Sequence, residues 1–222
     1  MLDTDVEQRS GSADEPVGRR RDGRGSHVAG VRRFDERETL GLALEVFGAR
    51  GYRATSMLDL AAGTGVQRGS LYHAYGGKEQ IFLRVFGDYT GVFLAGAAKA
   101  LRTGDRRSAL LALFEYCIRS ITAGTPSRGC LSTRTVLDAS AEAPHVETAV
   151  RSFLDDLEDV VHDGLEAIDD GDLAVDLRSA ARLVVTTTRG LAVMERAHHG
   201  PDELRNIAEA LVTSLAGPNR TV

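Results

Sequence analysis

The sequence predicts an all-α chain, on three observations. Apolar residues recur three and four positions apart through nearly everything after Asp35, no stretch alternates with period two, and Gly or Pro punctuates the periodic segments. The order expected is a trio of helices in about fifty residues, the last two short, followed by one long helix and four or five more.

Leu40, Leu44 and Phe47 define the first helix, which Gly51 stops. Ser56 followed three residues later by Asp59 is a capping box with Asp in the usual Glu position, and it starts a short second helix. Gly63-Thr64-Gly65-Val66 is a tight turn. A third helix is expected from Gln67 to about His73, broken by Gly76-Gly77, after which Lys78 opens a long helix through Leu101. Helices then follow over Arg106 to Ala123 and Leu131 to Ser140. Pro144 opens another, striped by Val146, Val150, Phe153, Leu157, Val160 and Leu165. Leu177, Ala180, Val184, Thr187, Leu191 and Met194 stripe a helix running to His198, and Leu204, Ile207, Ala208, Leu211 and Leu215 stripe the last, opened by Pro201.

Composition narrows the class. With 222 residues, 42% hydrophobic and 27% charged, the chain can build a real core. No run of 18 apolar residues suggests a membrane span, and no charged-then-apolar leader suggests secretion. Two cysteines, Cys117 and Cys130, make no disulfide framework and fit a reducing compartment, so a cytoplasmic location is expected. Residues 1–80 carry 12 basic and 12 acidic side chains, so the net charge of −5 lies wholly beyond them. A general polyanion binder would be basic throughout; nucleic-acid binding here has to be local and shaped. The near-exclusive use of Arg over Lys reads as compositional bias.

Residues 1–31 are poor in bulky apolar side chains and are expected to be a disordered arm. Its cluster Arg19, Arg20, Arg21 and Arg24 reads either as a solvated leader or as an arm lying along DNA. Residues 218–222 are expected to be a tail.

Two short helices joined by a Gly-containing turn form a helix-turn-helix pattern, whose second helix must bring its leading turn to base edges in a major groove about 12 Å wide. Gly69 and Ser70 are small enough for close approach. Gln67 and Arg68 suit bidentate contact with adenine and guanine. Thr55, Ser56, Tyr72, His73 and Lys78 are of the types that position a duplex through its phosphates.

Phe47, Gly51-Tyr52, Thr55-Ser56-Met57, Asp59-Leu60-Ala61, Gly65-Val66, Gly69-Ser70-Leu71-Tyr72-His73 and Lys78-Glu79 together resemble the TetR family of transcriptional regulators, over roughly residues 35–85. The resemblance implies a recognition helix over Gln67 to His73 and a phosphate contact from Lys78. Two departures stand out: Tyr75 where the family usually has Phe, and Gly76-Gly77 in place of a polar pair. It also implies a DNA-binding domain over 32–78 and a helical regulatory domain over 79–217. That domain would bind a small-molecule effector and dimerise through its last two long helices. Arg128-Gly129-Cys130-Leu131 resembles one subgroup of the family. The implied activity is that of a homodimeric, ligand-released repressor on a palindromic double-stranded operator, nucleoid-associated when bound.

Candidate effector-lining residues are Phe93, Phe114, Cys117, Arg134, Phe153 and Met194, apolar bulk with one cation, which suits a mostly apolar ligand with an anionic group. Cys130, at a helix start, reads as a structural thiol or as a redox-sensitive one; sensing of oxidants or electrophiles through it is one alternative function. A helical small-molecule binder without operator activity is the other. Asp155, Asp159, His162 and Asp163 share a helix face, but Leu157, Val160 and Val161 oppose it, so a solvated acidic face is expected and no metal site. No nucleophile elbow, phosphate loop, zinc spacing or dinucleotide fingerprint is present. Neither catalysis nor a cofactor is expected.

Overall fold

A computed structural model describes residues 35–124, 127, 129–138, 143–171 and 173–215. The expected arm with its arginine cluster, the expected tail, and Arg128 lie outside the described residues, as do the last two positions of the helix expected to end at Ser140. Among the described residues there are nine helices and no β-strand.

Helix α1 (Glu36–Arg50) starts where the Asp35 side chain accepts the Glu38 backbone N–H at 3.0 Å, and ends at Gly51, whose φ of 80° needs glycine. In α2 (Met57–Thr64) the capping box is complete: Asp59 N–H donates to Ser56 Oγ, and Ser56 N–H donates to the Asp59 carboxylate at 2.8 Å. Gly65 then turns the chain through φ 67°. Helix α3 (Arg68–Tyr75) runs two residues past the expected His73, because it is Gly76, at φ 87°, that ends it. Next come α4 (Lys78–Ala100), α5 (Arg106–Thr122), α6 (Leu131–Asp138), α7 (Pro144–Glu166), α8 (Leu177–Arg196) and α9 (Pro201–Leu215).

Helix α4 is the shared wall. Toward the first three helices it presents Phe82, whose ring lies 5.1 Å from Phe47 and 4.9 Å from Tyr52. Further along, Phe86 lies 6.0 Å and Phe93 5.8 Å from Phe153 of α7. One aromatic series therefore joins the small trio to the larger helical body, and displacing α4 disturbs both. By length and mean hydropathy (23 residues, 1.3) α4 also reaches what a membrane crossing needs, which a count of uninterrupted apolar residues does not register. Here Ile81, Phe82, Val85, Phe86, Phe93 and Ala97 of this helix are buried against neighbouring helices.

Helix α8 buries Ala180, Ala181, Val184, Val185, Thr188, Leu191 and Ala192 against its neighbours. Thr188 is thus the buried threonine, and the expected Thr187 sits half-buried beside it. The opposite side leaves Leu183 43% and Val193 49% exposed, and on α9 Ile207 is 38% exposed.

Candidate nucleic-acid interface

Helix α3 is seated by one buried side chain, Leu71. Arg68, Gly69, Tyr72 and His73 stand at i, i+1, i+4 and i+5, so they share a helix face; all four are exposed, and Gln67 is exposed at the N-cap without a capping hydrogen bond. Ser70 is half-buried. The leading turn therefore offers a guanidinium and an amide to solvent over a glycine, an arrangement that can approach base edges closely.

Around this face the candidates divide. Ser56 is exposed, though its hydroxyl already donates to Asp59 at 2.6 Å. Thr55 is different: it is 2% exposed and its hydroxyl donates to Gly51 O at 2.6 Å. It fastens the turn between α1 and α2, so the expected outward-facing hydroxyl is not presented. Lys78 is half-buried; its Nζ donates to Tyr52 O at 3.1 Å and lies 4.4 Å from the Tyr52 ring centroid. Burial lowers the Lys78 pKa, yet two of its three N–H donors remain beyond the bond to Tyr52. The ammonium is thereby held at the first residue of α4, beside the turn that follows α3.

Asp59 also pairs with Arg50, linking α2 to the end of α1. The Ser56 hydroxyl and backbone N–H, with Arg50, hold the Asp59 carboxyl below its ordinary range.

Of the expected effector residues, Phe93 and Phe153 meet, with ring centroids 5.8 Å apart. Phe93, Phe114, Cys117 and Phe153 are core residues, 5%, 1%, 3% and 3% exposed. Phe93 also borders a surface cleft of 770 Å³. Met194 is half-buried. Arg134 borders a 250 Å³ cavity between α6 and α8, and its guanidinium donates to Gly48 O and Ala49 O at the end of α1. The cation meets carbonyls that the helix leaves unpaired.

Cys130 is half-buried, and Arg189 Nη1 lies 3.3 Å from its Sγ while donating to Ser132 Oγ at 2.6 Å. Burial alone would push this thiol up; Arg189, with hydrogen bonds from Ser132 and Thr133, brings it below the usual thiol range. Cys117, buried, is pushed up to about 12. The four acidic-face residues are not gathered: Asp159 pairs with Arg178 at 2.7 Å. His162, Asp163 and Glu166 are the acidic-face groups whose ligand atoms lie within 4.8 Å of one another.

Residues 40–85 match the family model described as "Bacterial regulatory proteins, tetR family", and residues 107–211 match "Tetracyclin repressor-like, C-terminal domain". The chain belongs to the TetR family of transcriptional regulators. It therefore carries a DNA-binding helix-turn-helix and, like the family, is a transcription factor and not an enzyme.

Among the relatives of this TetR-family chain, the uncharacterized HTH-type transcriptional regulator YezE of Bacillus subtilis is 26% identical over 187 residues, covering 82% of this chain and 96% of YezE. The HTH-type transcriptional repressor KstR2 of Mycobacterium tuberculosis is 43% identical over 65 residues, 28% of this chain and 32% of KstR2. A solved structure of the TetR-family regulator CifR, a cysteine mutant complexed with 26bp double-strand operator DNA, superposes with a TM-score of 0.76 at 26% identity, covering 84% of this chain and 99% of CifR. Bacillus subtilis FadR in complex with stearoyl-CoA shares the fold, with a TM-score of 0.61 at 18% identity, covering 82% of this chain and 100% of FadR.

Proposed function

We propose that this TetR-family chain is a repressor that binds a palindromic operator as a homodimer and is released by a small molecule, acting in the cytoplasm at the nucleoid. The observation that carries this reading is the exposed face of α3. Gln67 and Arg68 would read base edges, Gly69 and Ser70 permit close approach, and Ser56, Tyr72, His73 and Lys78 would hold phosphates. Thr55 acts behind them by fixing the turn. CifR, similar over nearly its whole length, is complexed with operator DNA, and the local relative KstR2 is a repressor.

Dimerisation through α8 and α9 is supported by the exposed apolar side chains Leu183, Val193 and Ile207. A two-fold dimer would set two copies of α3 about one DNA turn apart. An effector would act by favouring a spacing of the two heads that does not match that turn. The test is selection from a random duplex pool with the full chain at fixed salt. An enriched palindrome with roughly one-turn half-site spacing is expected; no enrichment from folded, dimeric protein would leave a helical ligand binder without operator activity.

A second reading, thiol sensing, rests on the Arg189 guanidinium beside Cys130. It requires that Cys130→Ser binds operator normally and loses its response to oxidant; a full response in that variant removes it.

A further inference from the structure

We propose that the cleft between α1, α4 and α5 binds an uncharged planar aromatic molecule. The cleft is open to solvent and spans about 770 Å³, within the range of about 300–1,000 Å³ typical of small-molecule sites. It is separate from the exposed face of α3 and lies on the α1 side of α4.

Its chemistry selects that ligand class. Tyr89, Phe93 and Tyr116 line it as a tilted series, with ring centroids 6.4 Å apart for the first pair and 5.3 Å for the second. A flat aromatic ligand can extend such a series by offset or edge contact. Val92, 74% exposed, forms an apolar lip that an occupant would cover. Four charged side chains border the cleft, the acids Glu36 and Asp88 and the bases Arg37 and Arg84, so the rim is formally neutral and selects neither ion. Glu36 and Arg84 pair across it at 3.4 Å with both side chains mostly in solvent, a contact weak enough to part for a ligand. Ser120 supplies a hydroxyl for one polar substituent.

Gly41 of α1 lines the cleft. A Cβ built there meets nothing within 4 Å, so α1 tolerates a larger residue that would project into free space lining the cleft. Because the walls belong to α1 of the DNA-binding unit and to α4 and α5 beyond it, an occupant touching both would fix their separation. This regulatory consequence rests on the operator-binding reading; the binding itself does not.

The test is titration of the full-length chain with 1-N-phenylnaphthylamine, an uncharged aromatic whose fluorescence rises on leaving water. Saturable binding is expected, weakened at least tenfold by Gly41→Phe and retained by Gly41→Ala. Should circular dichroism show Gly41→Phe unfolded, Gly41→Leu is expected to give the same loss. No saturable binding by the wild-type chain, or equal binding by the folded bulky variants, overturns the site. Equal or tighter Gly41-dependent binding of the sulfonated analogue, 8-anilinonaphthalene-1-sulfonate, overturns the uncharged assignment. Operator binding measured in parallel separates the two readings: a chain that binds the probe at Gly41 but selects no operator supports the cleft and overturns the repressor reading.

Discussion

The guanidinium of Arg134 on α6 donates to the carbonyl oxygen of Gly48 on α1 at 2.9 Å, and to that of Ala49 at the same distance. These carbonyls belong to the last turn of α1, whose carbonyls lack the donors of a following turn and which carries the negative end of the helix dipole. A residue far along the chain thus closes a helix of the DNA-binding unit. Two residues earlier in α6, Ser132 accepts from Arg189 of α8 at 2.6 Å. The short helix is therefore held between α1 and α8.

Arg134→Met keeps the aliphatic stem and removes both bonds. Because the group is partly in solvent, a loss of about 1 kcal/mol is expected, seen as a fall in melting temperature of about 2–4 °C. An unchanged melting temperature would mean the clasp contributes nothing measurable.

On α3, Arg68→Ala and Gln67→Ala should each relax preference at one base pair per half-site by about 1–3 kcal/mol, read by competition among operator variants. Lys78→Ala should instead weaken all sequences alike and make the salt dependence shallower. It also removes the bond to Tyr52 O, so Lys78→Ala, unlike Arg68→Ala, should lower thermal stability as well. Unaltered base preference in Arg68→Ala would overturn the placement of α3 in the groove.

Much of this unit was legible in the sequence because its signals are local. A capping box needs only Ser56 and Asp59 three apart, and the left-handed turn needs only Gly65. The all-α class followed from periodicity, and the boundaries of α4, α5 and α7 fell within a residue or so of expectation. What escaped was set at long range. Thr55 looks like any turn threonine until the fold buries it over Gly51 O, and Arg134 looks like a pocket cation until its guanidinium meets the carbonyls that end α1. The same limit applies to the effector list, because bulk at inward positions identifies core and pocket residues equally.

Acid should destabilise the chain through its helix caps. Asp59 is held below its ordinary range by Ser56, Asp105 by the Ser108 N–H, and Asp176 by Ser179. A carboxyl whose folded pKa is depressed contributes fully above its unfolded value of about 3.9, and that contribution is lost as pH falls through the folded value. Melting temperature should therefore be level from about pH 7 to 5 and fall below about pH 4. Asp105→Asn and Asp176→Asn keep a capping acceptor without a titrating group and should flatten the acid limb. A double variant with the wild-type acid profile would overturn this account.

The two thiols should separate by chemistry as well as by position. Cys130 stands 3.3 Å from the Arg189 guanidinium, which favours its thiolate, whereas Cys117 is enclosed in the core with its pKa pushed up to about 12. Thiolate is the nucleophile, so iodoacetamide at neutral pH should alkylate Cys130 first and leave Cys117 unmodified while the chain is folded. Removing the guanidinium with Arg189→Met should raise the Cys130 pKa and shift its alkylation profile toward alkaline pH. A change in access alone would alter the rate without moving that profile. Mass spectrometry of the alkylated peptides distinguishes these outcomes, and modification of Cys117 ahead of Cys130 would overturn the assignment of the reactive thiol.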